Sequence, residues 1–238
     1  MRALVLGASG LIGGEVARVL AGEGIALRLH HHRRLDRTRA LAAELADAGG
    51  EVEVVGADLR APEGAERAVE GLPRLDLLVN AIGAYARAPL ADTDPALLQD
   101  MLARNVAAPL WAIRAAAPLL RAARGQVIQL LDIAAQQPWR DHVAYAASRA
   151  AMAHAVRCLA LELAPEVRCN AIAPGLVAGA GAIDEEDFDA LQGRIPAGRA
   201  ATASEVAEVV RLLATSPSTV TGQVLAVDGG RSLGRRRP

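Results

Sequence analysis

The chain has 238 residues, 52% of them hydrophobic, which suits one α/β domain of roughly 200–250 residues with a sizeable core. Its 26 basic and 27 acidic side chains leave a net charge of −1, which argues against a nucleic-acid-coating protein or an acidic tail. Cys158 and Cys169 are too few for a disulfide framework, no apolar run nears the ~18 residues of a membrane span, and the opening MRALVLGASG reaches Gly7 too early for a signal-peptide core. The expectation is a cytoplasmic globular protein with neither a membrane nor a nucleic-acid partner.

Strand-like apolar runs fall at 2–6, 25–30, 51–57, 75–80, 126–131, 167–173 and 223–227. Helical spacing falls near 11–22, 36–48, 62–70, 94–122, 141–163 and 203–214. Short, nearly continuous apolar strands alternating with amphipathic helices predict a seven-stranded parallel sheet covered on both faces, a doubly wound Rossmann fold. Residues 1–238 read as a single domain with no linker or repeat, and the basic end, 231–238, reads as a solvated, frayed tail. Every basic residue is Arg and none is Lys, while Asn occurs three times and Tyr twice. Lys, Asn and Tyr use A/T-rich codons, so the few Asn and Tyr that survive draw the eye to their positions.

LVLGASGLIGGEVARVL is a strand, a glycine turn and a helix, with Gly7, Gly10 and Gly13 spaced G-x-x-G-x-x-G. Glycines there allow a tight turn, close approach of backbone to a pyrophosphate and close helix–strand packing, while the helix N-terminus supplies free N–H groups. A turn without ligand uses glycine too, but at the first strand–helix junction of a parallel sheet the pattern favours a dinucleotide. After the second strand the chain reads His30-His31-His32-Arg33-Arg34, with no acid before Asp36. An acid there would hold a ribose 2′-OH and repel a 2′-phosphate, whereas arginine binds the phosphate bidentately, so NADP(H) is the expected cofactor. Three adjacent histidines on a strand end alternate in direction and suit chelation poorly, so no metal is expected.

These landmarks resemble the short-chain dehydrogenase/reductase family over nearly the whole chain. The resemblance is carried by the glycine turn, Asp58-Leu59, Asn80-Ala81-Ile82-Gly83, Asn105, Tyr145-Ala-Ala-Ser-Arg149, Asn170-Ala-Ile-Ala-Pro174-Gly175 and Val227-Asp228-Gly229-Gly230. Within the family the chain looks most similar to the pteridine reductases and dihydromonapterin (dihydrofolate) reductases, through the His–Arg run, Leu131-Asp132-Ile133 with Gln137-Pro138, and Asp141-His142-Val143-Ala144-Tyr145. The resemblance implies a cofactor cradle from Gly7, Ser9, Gly10, Leu11, Ile12 and Gly13, with His31, His32, Arg33 and Arg34 around the adenosine end. It adds Asp58, Leu59, Asn80, Ala81, Ile82, Gly83, Tyr145, Arg149, Pro174, Gly175 and Leu176. It implies that Tyr145 donates a proton as NADPH delivers hydride, that Arg149 holds the nicotinamide ribose, and that Asn105 holds a water in the proton relay. It also implies a homotetramer.

Two departures stand out. Nearly all relatives have Lys where this chain has Arg149. A guanidinium one helical turn from Tyr145 can favour its phenolate but cannot pass a proton along. Most relatives have Ser where this chain has Asp132. A serine donates to a developing oxyanion, whereas a carboxylate only accepts, which suits a ring with N–H donors or a C=N bond gaining a proton. Pteridine reductases place an aromatic in the loop where this chain has Ala84; Tyr85, one residue on, and Trp139 are the candidate stacking faces. Tyr85, Trp139, Asp132 and Tyr145 are therefore the expected substrate contacts. The segment 176–199 reads as a substrate lid in which the acids 184–187 cap a short helix. His142 reads as structural, and both cysteines as small core residues. Three readings stay open: a pterin-ring reductase, a ketone or 3-oxoacyl thioester reductase, and a catalytically silent NADP-binding protein.

Overall fold

A computed structural model describes residues 1–181, 185–216 and 218–234; the tail residues 235–238 and Asp184 of the acidic stretch lie outside the described residues. Seven strands form one wholly parallel sheet: β1 (Arg2–Leu6), β2 (Ala26–His31), β3 (Val52–Gly56), β4 (Leu77–Asn80), β5 (Gln126–Leu130), β6 (Arg168–Pro174) and β7 (Val224–Val227). Their spatial order is β3-β2-β1-β4-β5-β6-β7. The chain winds outward through β2 and β3, then crosses back to add β4 on the other side of β1. The carboxyl ends of β1 and β4 therefore diverge into different crossovers and open a crevice, where open α/β sheets bind ligands.

Helices α1 (Leu11–Gly22), α2 (Leu35–Asp47) and α8 (Ala203–Thr215) cover one face. Leu20 of α1, Leu41 of α2 and Val210 of α8 share a core there with Leu27, Leu29 and Val79 of the strands. On the other face lie α3 (Pro62–Val69), α4 (Pro95–Leu102), α5 (Ala108–Ala123) and α6 (Val143–Glu162). Ile113 and Leu120 of α5 and Met152 and Val156 of α6 pack there with Leu4, Leu78 and Val127. Both faces of the five central strands are buried, the reason those strands read as apolar runs rather than alternations.

The helix expected over 94–122 is divided. A turn of π-helix, Ala103–Ala107, joins α4 to α5. Pro109 has no N–H to return to the carbonyl of Asn105 four residues back, so the regular ladder fails at that point. Asn105 lies in the π-turn and is fully buried. The segment after β6 carries one further helix, α7 (Glu185–Gln192), whose first turn holds Glu185, Glu186 and Asp187, where carboxylates complement the positive helix end. No described helix is long and apolar enough to cross a membrane.

Candidate active site

Two cavities open along the carboxyl edge of the sheet. The first, of about 390 Å³, is lined by Gly7, Ser9, Gly10, His32, Arg33, Arg34, Asp58, Leu59, Ala81, Ile82 and Gly83, all of them expected from the sequence. The α1 N-terminus has no side-chain cap and no acidic residue in its first turn, which leaves its N–H groups and positive end free. The glycines are there for want of room. A Cβ on Gly13 would lie 2.3 Å from the Gly7 carbonyl oxygen, and one on Gly7, at φ +77°, 2.8 Å from that of Ala81. A cradle with bare backbone, a free helix end and two exposed arginines suits a dinucleotide phosphate.

His31 is the exception among the residues expected at the adenosine end. Strand alternation turns its ring over Gly56, where an added Cβ would meet it at 2.9 Å, and it lines neither cavity. His30 takes the inward place instead. It is 2% exposed, Nε2 donates to the Ala57 carbonyl across 2.9 Å, and Nδ1 is buried without a partner. Burial pulls its pKa down to about 4. Arg60 and Arg104 also line this cavity, and neither sits in a motif that would have marked it. Arg60 grips the Asp58 carboxylate at 2.6 Å and holds its pKa well below the usual range.

The second cavity, of about 750 Å³, is lined by Ile12, Tyr85, Asp132, Trp139, Tyr145, Arg149, Pro174, Gly175 and Leu176 from the expected set. Phe188, Leu191 and Arg194, from the segment 176–199 expected to contribute to the substrate site, also line it, as do Arg87 and Arg231, which were not foreseen. The Tyr145 phenol donates to Asp132 Oδ2 across 3.0 Å, while Asp132 Oδ1 accepts from the Ala134 amide at 2.7 Å. Asp132 thus caps the short turn after β5 with one oxygen and holds the tyrosine with the other. The Arg149 guanidinium sits 5.3 Å from the Tyr145 ring centroid, is 8% exposed, and has its Nε buried and unpaired.

The Tyr145 pKa differs from the sequence expectation. Burial raises it, and the Asp132 carboxylate raises it further, so the lowering by Arg149 is outweighed. Burial also lifts Asp132 above the ordinary carboxylate range, although Ala134, Arg149 and Tyr145 all act the other way. The pair therefore holds its phenolic proton firmly at neutral pH.

Asn105 stands one layer behind. Its Oδ1 accepts from the Ala84 amide at 2.7 Å, and its Nδ2 donates to the Ala84 carbonyl at 3.0 Å and to Ser148 Oγ at 2.9 Å. The side chain thus clamps the loop after β4 to α6, with both donor hydrogens engaged, and lines neither cavity. Gly83 lies directly above: a Cβ there would come within 2.6 Å of an Arg149 nitrogen and 3.0 Å of Asn105 Oδ1. Asn80, buried, accepts from the Ile82 amide at 3.4 Å and shapes the same loop from beneath. Gly13 and Leu11 support α1 without lining a cavity.

Aromatic rings surround the phenol. Tyr85 meets Tyr145 edge-on at 5.1 Å, and Trp139 lies at 6.4 Å and 30°. His142 Nδ1 donates to the Arg140 carbonyl, which leaves Nε2 to accept from the Tyr85 hydroxyl at 2.7 Å. His142 thus holds Tyr85 in place, and it also lines the second cavity. Among the described residues no group of three metal-ligating side chains occurs.

A phosphate cradle beside a buried tyrosine and arginine on one helix defines a nicotinamide-dependent oxidoreductase. The chain matches the family model described as enoyl-(acyl carrier protein) reductase over residues 7–232. It belongs to the short-chain dehydrogenase/reductase family, whose members use nicotinamide cofactors. It is 32% identical over 235 residues to the uncharacterized oxidoreductase YmfI of Bacillus subtilis (strain 168), covering 96% of this chain and 97% of that one. A dehydrogenase/reductase from Sinorhizobium meliloti 1021 superposes with a TM-score of 0.91 at 34% identity, covering 97% and 94% of the two chains. The acetoin dehydrogenase from Enterobacter cloacae superposes with a TM-score of 0.88 at 28% identity, covering 98% and 96%.

Proposed function

We propose that the protein is an NADPH-dependent reductase of a C=N bond in a pterin-like ring, of the dihydropterin or dihydrofolate type. The observation that carries this is the Tyr145–Asp132 hydrogen bond. An acceptor-only carboxylate beside the proton donor opposes the oxyanion of a ketone reduction and favours a ring that presents N–H groups. The aromatic faces of Tyr85 and Trp139 support a flat heterocycle.

In this reading Gly7, Ser9, Gly10 and the start of α1 hold the pyrophosphate, and His32, Arg33 and Arg34 face the 2′-phosphate. The reduced nicotinamide, when bound, supplies a hydride to the ring carbon. Tyr145 gives its phenolic proton to the adjacent ring nitrogen, so that C=N becomes CH–NH. Arg149 stabilises the phenolate left behind and, being always charged, relays no proton. Asp132 keeps the phenol aimed and accepts from a ring N–H. Asn105 positions the Ala84 loop and α6 relative to each other. We further place the protein in the cytoplasm as one reductase domain over residues 1–238, a homotetramer. A monomeric mass by light scattering would remove the last point.

The test follows NADPH oxidation on quinonoid dihydrobiopterin, dihydromonapterin, dihydrofolate and an acetoacetyl thioester. Turnover of a pterin, lost in Tyr145→Phe, is expected. A second reading, reduction of an ordinary ketone, is favoured by the likeness to an acetoin dehydrogenase, and turnover of the thioester alone would replace the first with it. NADPH binding without turnover of any of the four, unchanged in Arg149→Lys, would favour a non-catalytic NADP-binding protein.

A further inference from the structure

The second cavity holds more positive charge than the reaction above requires. Arg87 is neutralised by Asp187 at 3.3 Å, with Asp141 at 4.0 Å. Arg231 is different. It follows β7, where the Asp228 carboxylate accepts from the Gly230 amide at 2.9 Å and the Ser232 amide at 2.6 Å, and Gln137 Nε2 donates to the Ser232 carbonyl. Those bonds fold the segment back against the Asp132 loop and set the Arg231 guanidinium over the Trp139 ring, 5.2 Å from its centroid. The guanidinium is partly buried, lines the cavity, and among the described residues has no hydrogen bond or ion pair of its own. Arg194, exposed, lines the same cavity, also without a carboxylate partner among the described residues, and its charge acts against that of Arg231. Asp132 and Asp228 attract Arg231 more strongly than Arg194 repels it, yet burial outweighs them and neither carboxylate pairs with it directly.

Holding a cation partly out of water is unfavourable, and stacking on one indole with the attraction of Asp132 and Asp228 offsets only part of that cost. A planar guanidinium fixed in a ligand cavity with its N–H fork free matches a carboxylate. We infer that Arg231, supported by Arg194, is a substrate-binding residue that recognises a carboxylate remote from the reacting bond. The substrate is therefore an organic acid. Trp139, which neighbours both Arg231 and Tyr145, joins the anion end of the cavity to the reacting end. The inference rests on taking this cavity as the substrate site but not on the ring being a pterin. Under the pterin reading it favours a folate-like acid over a pterin with a neutral side chain.

Two matched pairs test it by calorimetry on the full chain saturated with NADP: pterin-6-carboxylate against 6-hydroxymethylpterin, and 4-oxopentanoate against 2-pentanone. The acid of at least one pair should bind about 10- to 100-fold more tightly than its neutral partner, as one charge-assisted bidentate contact allows. That advantage should vanish in Arg231→Gln and persist in Arg87→Gln, with NADP affinity unchanged in both. An advantage confined to the oxo-acid pair would uphold Arg231 and count against the pterin reading. Equal binding of acid and neutral partner in both pairs, or an advantage that survives Arg231→Gln, would overturn the assignment.

Discussion

Tyr145 and Asp132 share one hydrogen bond of 3.0 Å, phenol to carboxylate, at the floor of the larger cavity. Burial makes both groups harder to ionise, and the carboxylate adds to that at the phenol, whereas the phenol's hydrogen bond eases ionisation of the carboxyl without outweighing its burial. A tyrosine held protonated is suited to give its proton up only when a stronger acceptor forms beside it, as a ring nitrogen does on receiving hydride. If Tyr145 is that donor, Tyr145→Phe should lower kcat by about 10²- to 10⁴-fold. NADPH affinity, read by fluorescence titration, should change little.

The same pair makes a prediction about stability. The folded-state pKa of Asp132 is raised above its unfolded value, so its contribution favours the fold when protonated and is lost as pH rises through the folded pKa. Replacing the ionised carboxyl by a neutral amide of equal shape should therefore stabilise the protein above that pKa. Asp132→Asn should raise Tm at pH 8 by roughly 2–4 °C, the shift that about 1 kcal/mol produces in a chain of this length. The gain should shrink at pH 4, and scanning calorimetry at the two pH values reads the difference.

His30 carries the opposite sign on the acid side. Its pKa falls from 6.5 to about 4 on folding, chiefly through burial. Unfolded chains then bind a proton that folded ones refuse, and stability is lost as pH drops from about 6.5 towards 4. The full loss amounts to about 3 kcal/mol. In His30→Met that part of the acid limb should disappear, so denaturant midpoints at pH 7 and pH 5 should lie closer together than in the parent.

Arg33 and Arg34 line the smaller cavity with His32, at the place where an acid would select the ribose hydroxyl. Arg33→Ala should raise the KM for NADPH more than about 10-fold and leave that for NADH nearly unchanged, since only one of the two carries a 2′-phosphate. Steady-state kinetics with both cofactors reads the split.

The fold was legible because both faces of the five central strands are covered. The apolar runs at 2–6 and 126–131 became β1 and β5 almost residue for residue. The break at Asn105 was not, although Pro109 four residues on was its signal. The family resemblance singled out Tyr145, Arg149 and Asp132, which the structure brings together at one cavity. Their mutual electrostatics depended on how deeply α6 buries them, which spacing does not encode. Strand alternation could have separated His30 from His31, since one faces the cleft and its neighbour must face away. Arg231 was read as the start of a frayed tail, whereas it is held in the cavity by a turn at Asp228 and by Trp139, 92 positions away in sequence and adjacent only once the segment after β7 folds back.

In the proposed reaction the carboxylate of Asp132 selects a ring C=N bond over a ketone. Asp132→Ser tests it most directly, with NADPH oxidation followed on a dihydropterin and on an acetoacetyl thioester for parent and variant side by side. The serine variant should lose most pterin turnover while its thioester turnover is kept or rises. Loss of both activities together, or pterin turnover unchanged by the serine, would contradict it.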